Sequence, residues 1–232
     1  MRSNETRTST ADAAIGDREP FYKATFGKID EEKKRLVLDT ALREFAEKGY
    51  NAANINDIVR KAGISMGSMY SYFASKEALF LTIIDEGYRI LGRALAEAEA
   101  ECVDLVSLFR KLLQQSRDYS RRYPELTQVY LDATTQGLSA MSSRLSYRIE
   151  TITAGLYRRV IAASKAAGTI RADIDAGALA FFLDNLLVTF QFSFSSDYYR
   201  ARMRIFAGDA VLDDGGEALI DSLVELVRRA VS

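Results

Sequence analysis

The sequence predicts an all-α chain, an N-terminal three-helix helix-turn-helix head joined to a larger helical body, and three observations carry that expectation. Apolar residues recur at helical spacing nearly throughout: Leu38, Ala41, Leu42 and Phe45; then Phe80, Ile83, Ile84, Tyr88 and Leu91; then Leu219, Ile220, Leu223 and Val227. No stretch alternates with period two, and with two prolines the chain lacks the punctuation that strands carry. At 232 residues, 48 % hydrophobic and 27 % charged, it has the length and composition for one large domain or two unequal ones with real cores.

The elements follow in order. Residues 1–27 mix charges and hydroxyls, four basic against four acidic, without an apolar run long enough for a signal-peptide core, and read as a flexible tail. Asp30, Glu31 and Glu32 suit the start of a helix over 30–48 that Gly49 ends. Asn54 caps a second helix of about two turns, with Asp57 near its start and Gly63 as a left-handed stop. Ser65 caps a third through Phe73, and Ser75 caps a long fourth with Glu77 in its first turn. Helices are then expected over 76–99, 102–122, 125–137, 141–167, 175–203 and 216–231. Pro124 suits a first turn, and glycine-bearing turns fall at 167–169, 208 and 213–216. The run from Ala178 to Phe194 is interrupted by Asp184, Asn185 and Gln191 and is shorter than the roughly 20 apolar residues of a membrane span, so a buried helix is expected. The organisation is thus a tail over 1–27, a head over 28–75 and a body over 76–232.

Absent residue types narrow the chemistry. A chain without histidine has no imidazole base and no histidine metal ligand. The single Cys102 forms no internal disulfide, fits a reducing cytoplasmic setting and, beside Glu101 and Asp104, has no cationic activation; a structural role is expected for it. Arg121-Arg122 and Arg228-Arg229 read as solvated pairs. The net charge of -1 means that any affinity for nucleic acid must come from a local patch. From Lys28 to Phe80 there are nine basic and eight acidic residues, so placement matters more than the sum.

Residues 55–73, INDIVRKAGISMGSMYSYF, are two short helices joined by a tight turn, the helix-turn-helix arrangement. Ile58, Val59, Ile64, Met69 and Phe73 account for an inner face. Ser65, Met66, Ser68, Tyr70, Ser71 and Tyr72, followed by Lys76, form an outward set of small donors, phenols and an ammonium suited to phosphates and base edges. AGISMGSMYSYFASKEALF, together with LREFAEKGYNAANINDIVRKAG, closely resembles the signature of the TetR/AcrR family of transcriptional regulators over residues 33–83. It departs from that pattern at Met66, where a polar or basic residue is frequent, and at Asn54, where threonine is usual.

The resemblance implies a ligand-responsive DNA-binding regulator, a homodimer whose two heads read a palindromic operator and are released by an effector held in the body, with no enzymatic activity, cofactor or metal. It places Asn54 and Lys76 on phosphates, Ser65, Met66, Gly67 and Ser68 at the start of the recognition helix, and Tyr70, Ser71 and Tyr72 beside them. The last two helices, 175–203 and 216–231, resemble the family's dimerisation pair. In the body, Tyr88, Phe109, Tyr130, Tyr147 and Phe182, with the polar Gln114, Thr134, Asn185 and Thr189, are candidates to line a pocket for an apolar or aromatic effector. Two other classes are compatible with the sequence: a regulator or nucleoid-associated factor whose body binds a protein, and an all-α enzyme using carboxylates such as Asp132 or Asp184.

Overall fold

The computed structural model describes residues 19–135 and 139–232, with side chains over 19–134 and 150–232. The described residues form eleven α-helices and one 3-10 helix and contain no strand. These are α1 (Ala24–Gly27), α2 (Glu31–Ala52), α3 (Ile55–Lys61), α4 (Met66–Tyr72), α5 (Lys76–Glu101), α6 (Leu105–Arg122), α7 (Pro124–Thr135), α8 (Ser139–Ala166), α9 (Ala176–Phe192), α10 (Asp197–Ala207), the 3-10 helix (Asp209–Leu212) and α11 (Glu217–Val231). The chain divides into two compact units. One holds the described residues up to Leu91 with Glu125–Ser142, and the other Gly92–Pro124 with Ser143–Ser232.

In the first unit, Asp30 caps α2 by accepting from the Lys33 N–H, and Val37, Ala41, Glu44 and Phe45 form its buried stripe. Gly49 takes φ 72° and breaks the helical course where expected, although one further turn follows to Ala52. One expectation changes here. The tail's last residues are structured: Phe26 of α1 is 2 % exposed, its ring 4.7 Å from that of Phe73 and 5.5 Å from that of Tyr72. Residues 1–18 lie outside the described residues. Glu44, one of the acids of this helix, is fully buried.

The second unit is built on α6, whose Leu105, Leu108, Phe109, Leu112, Leu113 and Ser116 are buried and which packs against α9 and α11. Asp104 and Ser107 form a capping box at its start. The Leu105 N–H donates to Ser164 Oγ at 3.1 Å and so ties α6 to α8. In α11, Ile220, Val224, Val227 and Val231 make the inner stripe. The helix expected over 175–203 is two helices, bent by 111°. The break falls at Ser193–Ser196, where the Ser193 hydroxyl donates to the Thr189 carbonyl and Ser196 precedes the acidic start of α10. Among the described residues no single helix is long and apolar enough to cross a membrane.

Candidate nucleic-acid interface

The helix-turn-helix is set by its caps. The Asn54 side chain accepts from the Asn56 N–H at 2.9 Å and starts α3. The turn at Gly63 (φ 63°) lets the Ile64 N–H reach the Val59 carbonyl at 3.1 Å, closing α3 in a left-handed end. Ser65 then starts α4 by accepting from the Ser68 N–H at 3.0 Å, and the two hydroxyls lie 2.9 Å apart. Ile58, Val59, Met69 and Phe73 are buried as the inner face.

The opposite face of α4 meets solvent. Ser65, Gly67 and Tyr70 are exposed, Tyr70 by 52 %, and Met66, Ser68 and Ser71 are half-buried. The Ser71 hydroxyl donates to the Ser68 carbonyl at 2.8 Å. Two of the outward residues are corrected. Tyr72 is turned inward, 7 % exposed beside Phe26, because the tail's last turn supplies an aromatic partner. The Lys76 ammonium is already engaged: it donates to the carbonyls of Ala53 at 2.8 Å and Asn51 at 3.1 Å and lies over the Tyr50 ring. It caps the end of α2, and burial holds its pKa below the usual lysine range.

Sequence reasoning missed two supports. At the C-terminal end of α4, the Lys23 N–H donates to the Tyr72 carbonyl at 2.8 Å, Lys23 Nζ to the Tyr70 carbonyl at 2.7 Å, and the Thr25 hydroxyl to the Ser71 carbonyl. These donors satisfy carbonyls that a helix end leaves open. Behind α3, the Glu44 carboxylate accepts from Lys48 Nζ at 2.7 Å, Lys61 Nζ at 2.8 Å and the Asn54 N–H at 3.3 Å. Burial pushes the Glu44 carboxyl up, and these three donors more than offset it, leaving its pKa below the usual range. Lys48 also reaches Asp57, which pairs with Arg60 at 2.7 Å; hydrogen bonding to Lys48 lowers the Asp57 pKa. Arg60 remains 75 % exposed at the end of α3.

The candidate effector residues do not form one group. Phe109 is fully buried core. Gln114 Nε2 donates to Glu217 Oε1 at 2.8 Å as a strut between α6 and α11. Phe182, Asn185 and Thr189 lie on an exposed stripe of α9 with Phe181, and Asn185 donates to its own helix at the Phe181 carbonyl. Tyr88, Tyr130 and Thr134 belong to the first unit, where Thr134 bonds back to the Tyr130 and Leu131 carbonyls. The Tyr147 side chain lies outside the described residues. Of the predicted set, only Phe182 borders a described hollow in the second unit, an apolar one of about 220 Å³ with Leu179, Ala178, Val227 and Val231. A larger hollow of about 640 Å³ is lined by Leu105, Arg110, Ile170, Asp221, Val224 and Arg228. Its charges are matched inside the chain, Arg110 to Asp221 and Arg228 to Glu225. The Cys102 thiol is half-buried, and burial raises its pKa, away from the reactive thiolate.

Comparison with known proteins points to the same part of the chain. Residues 37–83 match the model of the family described as "Bacterial regulatory proteins, tetR family". The HTH-type transcriptional repressor NicS of Pseudomonas putida is 30 % identical over 139 residues, 60 % of this chain and 66 % of that protein. The HTH-type regulator YuxN of Bacillus subtilis is 46 % identical over 57 residues, 25 % of this chain, so the chain spans only 20 % of that protein's length. In fold the chain resembles a TetR family regulator from Chloroflexus aurantiacus, with TM-score 0.65 and 22 % identity over 90 % of this chain and 97 % of that one. It also resembles the Bacillus subtilis FadR solved in complex with stearoyl-CoA, with TM-score 0.66 and 17 % identity over 85 % and 98 %.

Proposed function

From the premise that residues 37–83 are a TetR-family helix-turn-helix domain, we propose that this chain is a ligand-responsive, cytoplasmic DNA-binding transcriptional regulator, a repressor and not an enzyme. The observation that carries the reading is the solvent face of α4. A helix capped by Ser65 presents Ser65, Met66, Gly67, Ser68 and Tyr70 together, while Met69 and Phe73 hold its back to the core. Side chains at the start of such a helix reach base edges in the major groove, and Tyr70, Ser71 and the capped start of α3 at Asn54 meet phosphates. Tyr72 supports the helix from behind, and Lys76 steadies the end of α2.

The protein acts as a homodimer through α9 and α11. The support is a row of unpartnered apolar side chains, Phe181 at 74 %, Phe182 at 53 % and Leu226 at 65 % exposure, on helices whose other faces are already buried. Two heads then meet half-sites about 34 Å apart on a two-fold operator. The stearoyl-CoA held by the FadR structure supports a small, largely apolar effector for the body, in preference to a protein partner. Effector binding releases the operator only if it favours the arrangement that DNA does not. Helix α5, which has residues in both units, is the element that carries the shift.

The test is operator binding by Tyr70→Ala. Fluorescence anisotropy should show affinity for the operator falling about tenfold or more, with the circular dichroism and melting of the chain unchanged, since Tyr70 is exposed. Unchanged affinity would remove Tyr70, and with it this face of α4, from the interface.

A further inference from the structure

The face of α4 that meets solvent carries none of the side chains that ordinarily read guanine, adenine or cytosine. Between Lys61 and Lys76 the sequence holds no arginine, lysine, asparagine, glutamine, aspartate or glutamate. In the major groove arginine and lysine recognise guanine, asparagine and glutamine recognise adenine, and acids accept from cytosine. The two lysines that bound this stretch are engaged by the chain itself, Lys61 with Glu44 at 2.8 Å and Lys76 with the carbonyls of Ala53 and Asn51. Lys23, which reaches α4 from the start of α1, donates to the Tyr70 carbonyl at 2.7 Å, and Arg60, on α3, pairs with Asp57 at 2.7 Å. The serines of α4 are largely turned to its own helix. Ser65 Oγ accepts from the Ser68 N–H and lies 2.9 Å from the Ser68 hydroxyl, and the Ser71 hydroxyl donates to the Ser68 carbonyl. A serine hydroxyl also suits more than one base, so it discriminates little.

What remains on this face is Met66 and the open ground beside it. Met66 and Tyr70 stand at i and i+4, one above the other, with Gly67 next to Met66 on the exposed side. Glycine weakens a helix relative to alanine, and the packing of the chain does not require it here: a Cβ at Gly67 would meet only Ser65 Oγ at 3.7 Å, an ordinary contact. A glycine unneeded by the fold, on a face turned to solvent, suits the close approach of another surface. Met66 offers that surface a flexible thioether ending in a methyl, with no hydrogen-bond donor and only a weak acceptor. The apolar feature that a base pair presents in the major groove is the 5-methyl group of thymine.

We propose that Met66 is a specificity-determining residue that reads thymine by its 5-methyl group, so that each operator half-site carries an A·T pair where α4 docks and α4 makes no guanine contact of its own. This rests on the DNA-reading role given above and adds to it the base chosen and the group by which it is chosen. Gly67 lets the base edges come up to the thioether, and Ser65 and Ser68 fix the start of α4 without selecting a base.

The full chain selects its own site from a random duplex library, and fluorescence anisotropy then measures that site with each thymine replaced in turn by deoxyuridine, which removes the methyl and keeps the pairing. One thymine in each half-site should be sensitive, with affinity falling about fourfold for one methyl and about fifteenfold for both symmetric copies. At the sensitive position 5-methylcytosine paired with guanine should bind about fourfold more tightly than cytosine, because it returns the methyl alone. Met66→Ala, which keeps a strong helix former, should retain the circular dichroism of the chain and bind the thymine and uracil sites equally. A selected site indifferent to every uracil replacement, or a uracil effect of the same size in Met66→Ala, would overturn the assignment and leave the DNA-reading role of α4 intact. Failure of the folded chain to enrich any site would overturn it together with that role.

Discussion

Glu44→Gln tests whether a buried ionic strut holds the helix-turn-helix against α2. The carboxylate has no exposure and accepts from Lys48 Nζ at 2.7 Å and Lys61 Nζ at 2.8 Å. Glutamine keeps the length and one acceptor oxygen but presents an amide N–H₂ to a group that only donates. Charge-assisted hydrogen bonds contribute about 1.5–3 kcal/mol each. Lys48 and Lys61 are 34 % and 47 % exposed, so water recovers much of the loss, and about half of that range per contact is the appropriate figure. Two contacts put the loss at about 1.5–3 kcal/mol, a large share of the roughly 5–15 kcal/mol that holds a domain folded. Urea denaturation followed by circular dichroism should show a lower midpoint at unchanged slope. Lys61→Gln and the double variant complete the cycle, with a coupling of at least about 0.5 kcal/mol between Glu44 and Lys61. A loss below about 0.5 kcal/mol, or additivity of the two substitutions, would refute the strut.

Further outcomes follow from the same contacts. Phe26→Ala should cost about 3–5 kcal/mol and weaken operator binding, because α1 with Lys23 and Thr25 closes the end of α4; thermal melting and anisotropy on the same sample check both. Gly63→Ala should lose about 1–2 kcal/mol from the left-handed backbone alone, since its added Cβ meets nothing within 4 Å. Acid should weaken the head. The Glu44 and Asp57 pKa values are lowered in the fold, so their contribution is present in full above the ordinary carboxyl value of about 4.5 and is lost as pH falls through their lower folded values. A pH series of urea midpoints should show that loss, and Glu44→Gln should flatten it.

Most of the head was legible because its signals are local. Asn54, Gly63 and Ser65 each do at their own position what their chemistry favours, and the inner set Ile58, Val59, Met69 and Phe73 is buried as the helical period requires. What was missed depended on distant partners. Lys76 is a cation placed where phosphates are expected, and only the fold reveals that the carbonyls of Asn51 and Ala53, more than 20 residues earlier, engage it. Tyr72 faces inward because the tail returns with Phe26, although Phe21, Tyr22 and Phe26 crowded into an otherwise charged tail were an available signal. Glu44 falls with Ala41 and Phe45 on the buried face of α2, and an acid at that register is itself a sign of basic partners reaching it. The break after Phe192 was likewise written in Ser193-Phe194-Ser195-Ser196-Asp197, a cap sequence inside an apolar run. The body's aromatics gave no comparable guidance, because Phe109 in the core and Phe182 at the surface have the same periodicity.

The central claim, that the exposed face of α4 reads a specific DNA site, is tested most directly by anisotropy of the purified chain on DNA flanking its own gene, against scrambled DNA at several salt concentrations. The account predicts tight binding to the flanking DNA, resistance to scrambled competitor and affinity that falls steeply with salt as phosphate contacts release counterions. Equal binding to flanking and scrambled DNA by a folded chain would contradict it.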